Sequence, residues 1–170
     1  FPLDHLTAVP LLARAAAPAM HEHSVVVAPD LGAVKRAREY ARLLRLPMAF
    51  IHKTRLSGED VEAHGVIGDV RDRAPLVIDD MLSTGATIEA AAAALRAAGA
   101  LEPIAVAVTH ALLVGRAREV LRRLPISRLI VSDTVTIEAP AVRPLEVTSV
   151  APLIATAIRR NEEGMQGYAE

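Results

Sequence analysis

The 170-residue chain contains no cysteine and no tryptophan, and only 2 % of its residues are aromatic. The absence of cysteine excludes a disulfide framework and thiolate chemistry. Because 52 % of the residues are hydrophobic, the core must be built from Ala, Val, Leu and Ile. The length is sufficient for one domain with a substantial core.

The net charge is also small, and long apolar runs are absent. The formal net charge is −1, and Lys and Arg are spread along the chain without the basic tail or stripe that is typical of nucleic-acid-binding proteins. No apolar run reaches the length of a membrane span, and no basic region precedes an apolar run at the N-terminus, as a signal peptide would require. We therefore expect a soluble, cytoplasmic protein with no nucleic-acid or membrane partner.

Short apolar runs alternate with segments of helical periodicity, a pattern typical of βαβ units around a mainly parallel sheet. The continuously apolar runs VVV and IAVAV indicate strands that are covered on both faces. The sequence therefore predicts an α/β fold with helices flanking the sheet. The predicted strands are Ser24–Pro29, Pro47–His52, Leu76–Ile78, Pro103–Val108, Arg128–Val131 and Leu145–Thr148, and the predicted helices are Thr7–Ala17, Ala33–Leu44, Ala86–Ala98, Val114–Leu124 and Ser149–Arg160.

The segment Thr54–Gly65, TRLSGEDVEAHG, is polar, contains glycine and has no clear period. We interpret it as a loop. Loops of about a dozen residues without secondary structure are uncommon and are often lids over active sites. The segment is therefore predicted to be a mobile lid.

The segment Val77–Thr87, VIDDMLSTGAT, carries the strongest chemical signal. An apolar strand leads into Asp79 and Asp80, and a turn of small and hydroxyl residues then precedes a helix. Backbone N–H groups at such a turn bind anions, and the missing lysine excludes a Walker A loop. Paired carboxylates beside a phosphate site predict a phosphorylated ribose, held by its hydroxyls at one end and its phosphate at the other. In the alternative interpretation, Asp80 is only a turn residue and Thr84 or Thr87 only a helix N-cap.

This motif resembles the ribose 5-phosphate loop that type I phosphoribosyltransferases share with ribose-phosphate pyrophosphokinases, also called PRPP synthetases. Other segments resemble the second family in particular, and the resemblance covers nearly the whole chain in order. It implies a type I phosphoribosyltransferase-like fold. The segments are VVVAPDLGAVKRAREYARLL, FIHKTRLSGEDVEAHG with the KTR-S-G pattern of archaeal-type flexible loops, AVTHALLVGRAREVL and PLEVTSVAPLIATAIRRNEEG.

The resemblance implies transfer of the pyrophosphoryl group of ATP to ribose 5-phosphate, giving PRPP and AMP. Lys53 and Arg55 match the family's catalytic cations. In the alternative interpretation, they are an exposed basic pair at the end of a strand. Asp30 matches the family's Mg²⁺-binding aspartate, although it could also be a turn residue in PDLG. The residues that match the ribose 5-phosphate site are Asp79, Asp80, Ser83, Thr84, Gly85, Ala86 and Thr87.

Other polar residues near these strand ends carry weaker signals. His110 follows Thr109 at the end of a predicted strand, and it could contact a ligand or be a packed or capping histidine. Lys35, Arg36 and Arg38 are interpreted as a solvated helix face. Two departures from the family pattern bear on ligand binding, since Ala86 replaces the second glycine of the loop and Leu31 stands where a polar or basic residue is usual.

The family's enzymes have two similar domains, and the chain resembles only the second. Residues 1–20 are expected to be an interdomain link and first helix, and residues 21–170 the phosphoribosyltransferase-like domain. The resemblance also implies self-association into a homo-oligomer. Two other functions stay open: a phosphoribosyltransferase that consumes PRPP, and a non-catalytic regulatory domain of the kind associated with PRPP synthetases.

Overall fold

A computed structural model describes residues 5–56, 61–137 and 144–163, with the side chains of residues 53–56 and 61–64 excepted. No helix within these ranges is both long and apolar enough to cross a membrane. Helices and strands alternate as the apolar pattern predicts. The helices are α1 (Val9–Ala16), α2 (Val34–Leu44), α3 (Ala86–Ala97), α4 (Ala117–Arg123) and α5 (Ala151–Glu162), and the strands are β1 (Ser24–Ala28), β2 (Met48–Leu56), β3 (Val61–Ile67), β4 (Ala74–Leu82), β5 (Ile104–Ala111), β6 (Ile126–Ser132) and β7 (Leu145–Thr148).

In the described part of the chain, seven strands form one sheet in the order β3-β2-β1-β4-β5-β6-β7. All neighbouring strands are parallel except β2 and β3. Every residue of β1 is buried, as expected for a strand with helices on both faces. The predicted α/β fold with a mainly parallel sheet is confirmed.

Helices cover both faces of this sheet. On one face α1 and α2 bury Leu12 and Tyr40 against the strands. On the other face α3 and α4 bury Ile88, Leu95 and Leu121. Each fully buried aliphatic side chain of this size stabilises the fold by about 1.5–3 kcal/mol, so an aliphatic core compensates for the shortage of aromatic residues.

The prediction of an irregular loop over Thr54–Gly65 is wrong for most of that segment. Thr54–Leu56 continue β2 and Val61–Gly65 belong to β3, and the two strands pair antiparallel from Phe50↔Ile67 to Leu56↔Val61. Residues 57–60 lie outside the described part. An antiparallel edge pair satisfies its backbone groups by mutual hydrogen bonds and needs no continuous apolar run. Polar composition therefore concealed the strands.

The candidate residues lie together at the carboxyl ends of the parallel strands. Because β1, β2, β4 and β5 run in the same direction, their carboxyl ends meet where ligands bind in open α/β sheets. Asp30 follows β1, Asp79 and Asp80 are near the end of β4, and His110 is near the end of β5. Lys53 and Arg55 occupy the corresponding end of β2.

Candidate active site

Two neighbouring carboxylates and one arginine form the polar centre of the site. Arg36, in the first turn of α2, donates from Nη2 to Oδ2 of Asp80 over 2.8 Å. Its Nη1 lies 4.0 Å from Oδ1 of Asp79. The backbone N–H of Asp80 also donates to Oδ1 of Asp79 over 2.8 Å. The guanidinium thus joins α2 to both aspartates of β4.

The interpretation of Arg36 as part of a solvated helix face is wrong. Its side chain is 24 % exposed and is directed at the aspartates. Lys35 and Arg38, in contrast, are exposed. A signal was present in the sequence: α2 has no acidic residue in its first turn, although the helix dipole favours anions there. The dipole disfavours a cation there by about 0.3–1 kcal/mol, and the ion pair with Asp80 offsets this cost.

Burial of Asp79 shapes the electrostatics of the site. The side chain is 13 % exposed, and burial is the main reason why its pKa rises from 3.8 to about 6. The negative charges of Asp80 and Asp30 raise the pKa further, whereas the hydrogen bond from the backbone N–H of Asp80 lowers it. The structure therefore brings Asp30, Asp79 and Asp80 into one electrostatic cluster.

This shift predicts a pH dependence of stability. A carboxyl whose pKa is raised by folding favours the folded state most strongly below its unfolded pKa, and that contribution is lost as pH rises through the folded pKa. Between about pH 4 and pH 7, we expect the unfolding free energy of the wild type to fall relative to that of Asp79→Asn, by on the order of 2 kcal/mol. Urea unfolding of both proteins at these pH values measures the difference. Equal changes in the two proteins would contradict the raised pKa.

Asp30 has a structural role that can be combined with metal binding. Its Oδ1 accepts a hydrogen bond from the N–H of Ala33 over 3.0 Å, which caps the short 3-10 turn before α2. Within the described ranges, no three acidic, histidine or cysteine side chains group as a metal site. Magnesium commonly uses one or two protein carboxylates together with phosphate oxygens and water. An exposed Asp30 fits that coordination with a phosphorylated ligand.

The loop Ser83–Thr87 leads from β4 into α3. Gly85 is the N-cap residue, with φ 85°, and no side chain of the described structure caps the helix. Thr84 Oγ1 lies 3.5 Å from the N–H of Ala86, at the outer limit for a hydrogen bond. The first N–H groups of α3 therefore have no strong side-chain cap, and helix N-termini of this kind can bind anions.

Neighbouring backbone fixes the loop in place. The N–H groups of Leu113 and Val114 donate to the carbonyl oxygens of Leu82 and Ser83 over 3.1 and 3.0 Å. At Gly85, an added Cβ would lie 3.2 Å from Cγ1 of Val120 on α4. The left-handed φ and this close approach together require glycine.

The two departures from the family pattern have different structural settings. Ala86 is the first residue of α3 and is exposed. The left-handed conformation falls on Gly85, and Ala86 is not among the residues with positive φ. Its methyl group therefore causes no backbone strain. Leu31 is 60 % exposed, on the 3-10 turn that Asp30 caps.

His110 belongs to a hydroxyl network at the ends of β5 and β6. Its Nδ1 lies 2.8 Å from Oγ1 of Thr134. Thr134 Oγ1 lies 2.9 Å from Oγ of Ser132, and both hydroxyls are directed at the carbonyl oxygen of Thr109. His110 is half-buried, and sequence reasoning missed both its partner Thr134 and the link from Thr134 to Ser132. A signal was available, since Ser132 is the last residue of the buried strand β6 and Thr134 follows it shortly after.

Lys53 and Arg55 can be placed only by their backbone. They lie in β2, with His64 and Glu62 of β3 as their register partners. Their side chains lie outside the described part of the structure. The backbone places both residues on the strand that borders β1, at the same edge as Asp30.

Comparison with known proteins decides the family. The family model described as "Phosphoribosyl transferase domain" matches residues 5–136. The chain belongs to this family. It is 40 % identical to a ribose-phosphate pyrophosphokinase of Caldanaerobacter subterraneus subsp. tengcongensis over 166 residues. This alignment covers 96 % of the chain and 52 % of the relative. A ribose-phosphate pyrophosphokinase of Aquifex aeolicus is 39 % identical over 164 residues, with the same two coverages.

Solved structures agree with this assignment. The crystal structure of phosphoribosylpyrophosphate synthetase from Mycobacterium smegmatis superposes with a TM-score of 0.83 and 37 % identity, over 96 % of this chain and 53 % of that one. Orotate phosphoribosyltransferase from Aeropyrum pernix shares the fold, with a TM-score of 0.58 and 20 % identity over 89 % of this chain and 74 % of that one. The predicted family and its type I phosphoribosyltransferase-like fold are confirmed. The chain spans about half the length of the curated relatives that it matches.

Proposed function

We propose that this chain is the ribose 5-phosphate-binding half of a ribose-phosphate pyrophosphokinase. The observation that carries the proposal is the arrangement at the end of β4, where Asp79 and Asp80 precede an uncapped helix N-terminus by a few residues. Carboxylates accept hydrogen bonds from hydroxyls but repel phosphate, whereas helix N-termini attract phosphate. A sugar with hydroxyls at one end and a phosphate at the other matches both.

The proposed reaction joins ATP and ribose 5-phosphate. The anomeric hydroxyl oxygen of the sugar attacks the β-phosphorus of ATP, the bond from that phosphorus to the α–β bridging oxygen breaks, and AMP leaves. The hydroxyl proton passes to a base or to solvent. Negative charge grows on the transferring group, so cations delivered from the end of β2 would lower the barrier. We assign that role to Lys53 and Arg55 by their match to the family.

The remaining roles are also proposals. Asp79 and Asp80 hold the sugar hydroxyls, and the backbone of Ser83–Thr87 holds the 5-phosphate. Asp30 would hold Mg²⁺, which neutralises phosphate charge and orients the triphosphate when bound. His110 contacts the ligand only if its ring turns from Thr134 or uses its other nitrogen.

The proposal also covers the organisation of the intact protein. Residues 1–20 would link this domain to a first domain that contributes to the ATP site, and residues 21–170 would form the phosphoribosyltransferase-like domain. The match to half of each relative supports this arrangement. We further propose that the intact protein is a cytoplasmic homo-oligomer that acts on small-molecule substrates.

Calorimetric titration of the chain with ribose 5-phosphate tests the proposed site. We expect binding by the wild type and about tenfold weaker binding by Asp80→Asn, because a hydrogen bond to a charged group is lost. Asp69→Asn is the matched control, since Asp69 pairs with Arg73 over 3.3 Å at the other edge of the sheet, and it should bind like the wild type. Equal affinities for all three proteins would contradict the assignment of Asp80.

A second titration separates the candidate functions. Binding of ATP with Mg²⁺ in addition to ribose 5-phosphate would favour the pyrophosphokinase. Binding of PRPP together with a nucleobase, with release of pyrophosphate, would instead favour a phosphoribosyltransferase. Binding of ribose 5-phosphate without ATP would favour a regulatory domain, or a half-site completed by a further domain.

A further inference from the structure

Arg36 lies at the N-terminal end of α2, and its side chain reaches from that helix to the site. It lies with Lys35 in the first turn of α2, which contains no acidic residue. The positive end of the helix dipole disfavours cations at that position. Its guanidinium instead reaches across to β4, where Nη2 is 2.8 Å from Oδ2 of Asp80 and Nη1 is 4.0 Å from Oδ1 of Asp79.

The charges around Arg36 explain why a cation is needed here. Asp30, Asp79 and Asp80 share one cluster, and the proposed ligand is itself an anion. In the described part of the structure, Arg36 forms ion pairs with both Asp79 and Asp80. Asp80 is 58 % exposed, so without the arginine its carboxylate would be free to rotate toward solvent.

We propose that Arg36 is a positioning residue that fixes the Asp80 carboxylate for the sugar hydroxyls. This inference rests on the proposed function, because it assumes that a phosphorylated sugar binds at Asp79 and Asp80. Arg36 acts through Asp80 and does not itself contact the ligand. Its planar fork suits this task, since a lysine would place a single point charge that cannot reach both aspartates in the same way.

A double-mutant cycle distinguishes this role from simple attachment of α2 to the sheet. Affinity for ribose 5-phosphate is measured by calorimetry for the wild type, Arg36→Met, Asp80→Asn and the double variant, with melting temperature recorded for each. We expect Arg36→Met to bind about fivefold more weakly than the wild type. In the Asp80→Asn background the same change should alter affinity less than about twofold, because its partner is already impaired.

Two further variants complete the test. Arg36→Lys keeps the charge, and it should restore part of the affinity; it also carries the test if Arg36→Met does not fold. Arg38→Met, two residues further along α2 and exposed, should bind like the wild type. Unchanged affinity in both Arg36 variants, or an equal loss with and without Asp80, would overturn the inference. Failure of the wild type to bind ribose 5-phosphate would instead overturn the proposed function beneath it.

Discussion

Replacing Gly85 with alanine is expected to weaken ribose 5-phosphate binding by about 10- to 100-fold, because small displacements of positioning groups have effects of this size. The new methyl group would meet Val120 at 3.2 Å, and φ at this position is 85°. Relieving both conflicts requires the loop to move, which redirects the N–H groups at the start of α3. Calorimetry with ribose 5-phosphate measures the loss.

The same helix provides a matched control. Gly99 lies just beyond the other end of α3 with φ 82°, and its nearest neighbour would be Cγ of Arg71 at an ordinary 3.6 Å. Gly99→Ala should therefore carry a similar conformational cost, about 1–2 kcal/mol in unfolding free energy, without affecting the loop. Equal ligand affinities in the two variants would contradict the assignment of Ser83–Thr87 as the phosphate site.

In the intact two-domain protein proposed above, replacing Lys53 with alanine is expected to lower the rate of PRPP formation by about 10²- to 10³-fold, the usual effect of removing one group that stabilises transition-state charge. The affinity for ribose 5-phosphate should change little, since Lys53 is assigned to the transferring phosphoryl group. The rate is measured with ATP, Mg²⁺ and ribose 5-phosphate, and the affinity by calorimetry.

The other lysine of the chain is the control for this prediction. Lys35 is exposed on α2, and Lys35→Ala removes the same charge from the protein. It should retain nearly the wild-type rate. A rate for Lys53→Ala equal to that of Lys35→Ala would show that Lys53 has no catalytic role.

Much of this fold could be predicted because its strongest signals are local. The apolar run of β1 and the alternation of strands with helices determine a parallel sheet with two covered faces. The start of α3 at Ala86 and its end before Gly99 also agree with the prediction, since small residues and glycine mark helix ends. The first part of β2 was predicted, whereas its continuation over Thr54–Leu56 and the strand β3 were missed, because antiparallel backbone pairing does not require an apolar pattern.

The contacts within the site were less predictable. The aspartates and the loop are adjacent in sequence, so their proximity follows from the motif. The partnership of Arg36 with Asp80 joins residues 44 positions apart, and it depends on how α2 is rotated against the sheet. The same holds for His110 and Thr134, which are brought together by the pairing of β5 with β6. Helical periodicity gives the buried face of a helix but not the partner of each polar side chain.

Amide NMR of the chain during a titration tests most directly whether ribose 5-phosphate binds at the carboxyl end of the parallel strands. On addition of ribose 5-phosphate, we predict that the largest shifts occur at the amides of Gly85, Ala86 and Thr87, with further shifts at Asp79 and Asp80. Inorganic phosphate should shift the loop amides alone. Saturating ribose 5-phosphate that leaves these amides unchanged, or that acts mainly at the opposite edge of the sheet, would contradict the proposed site.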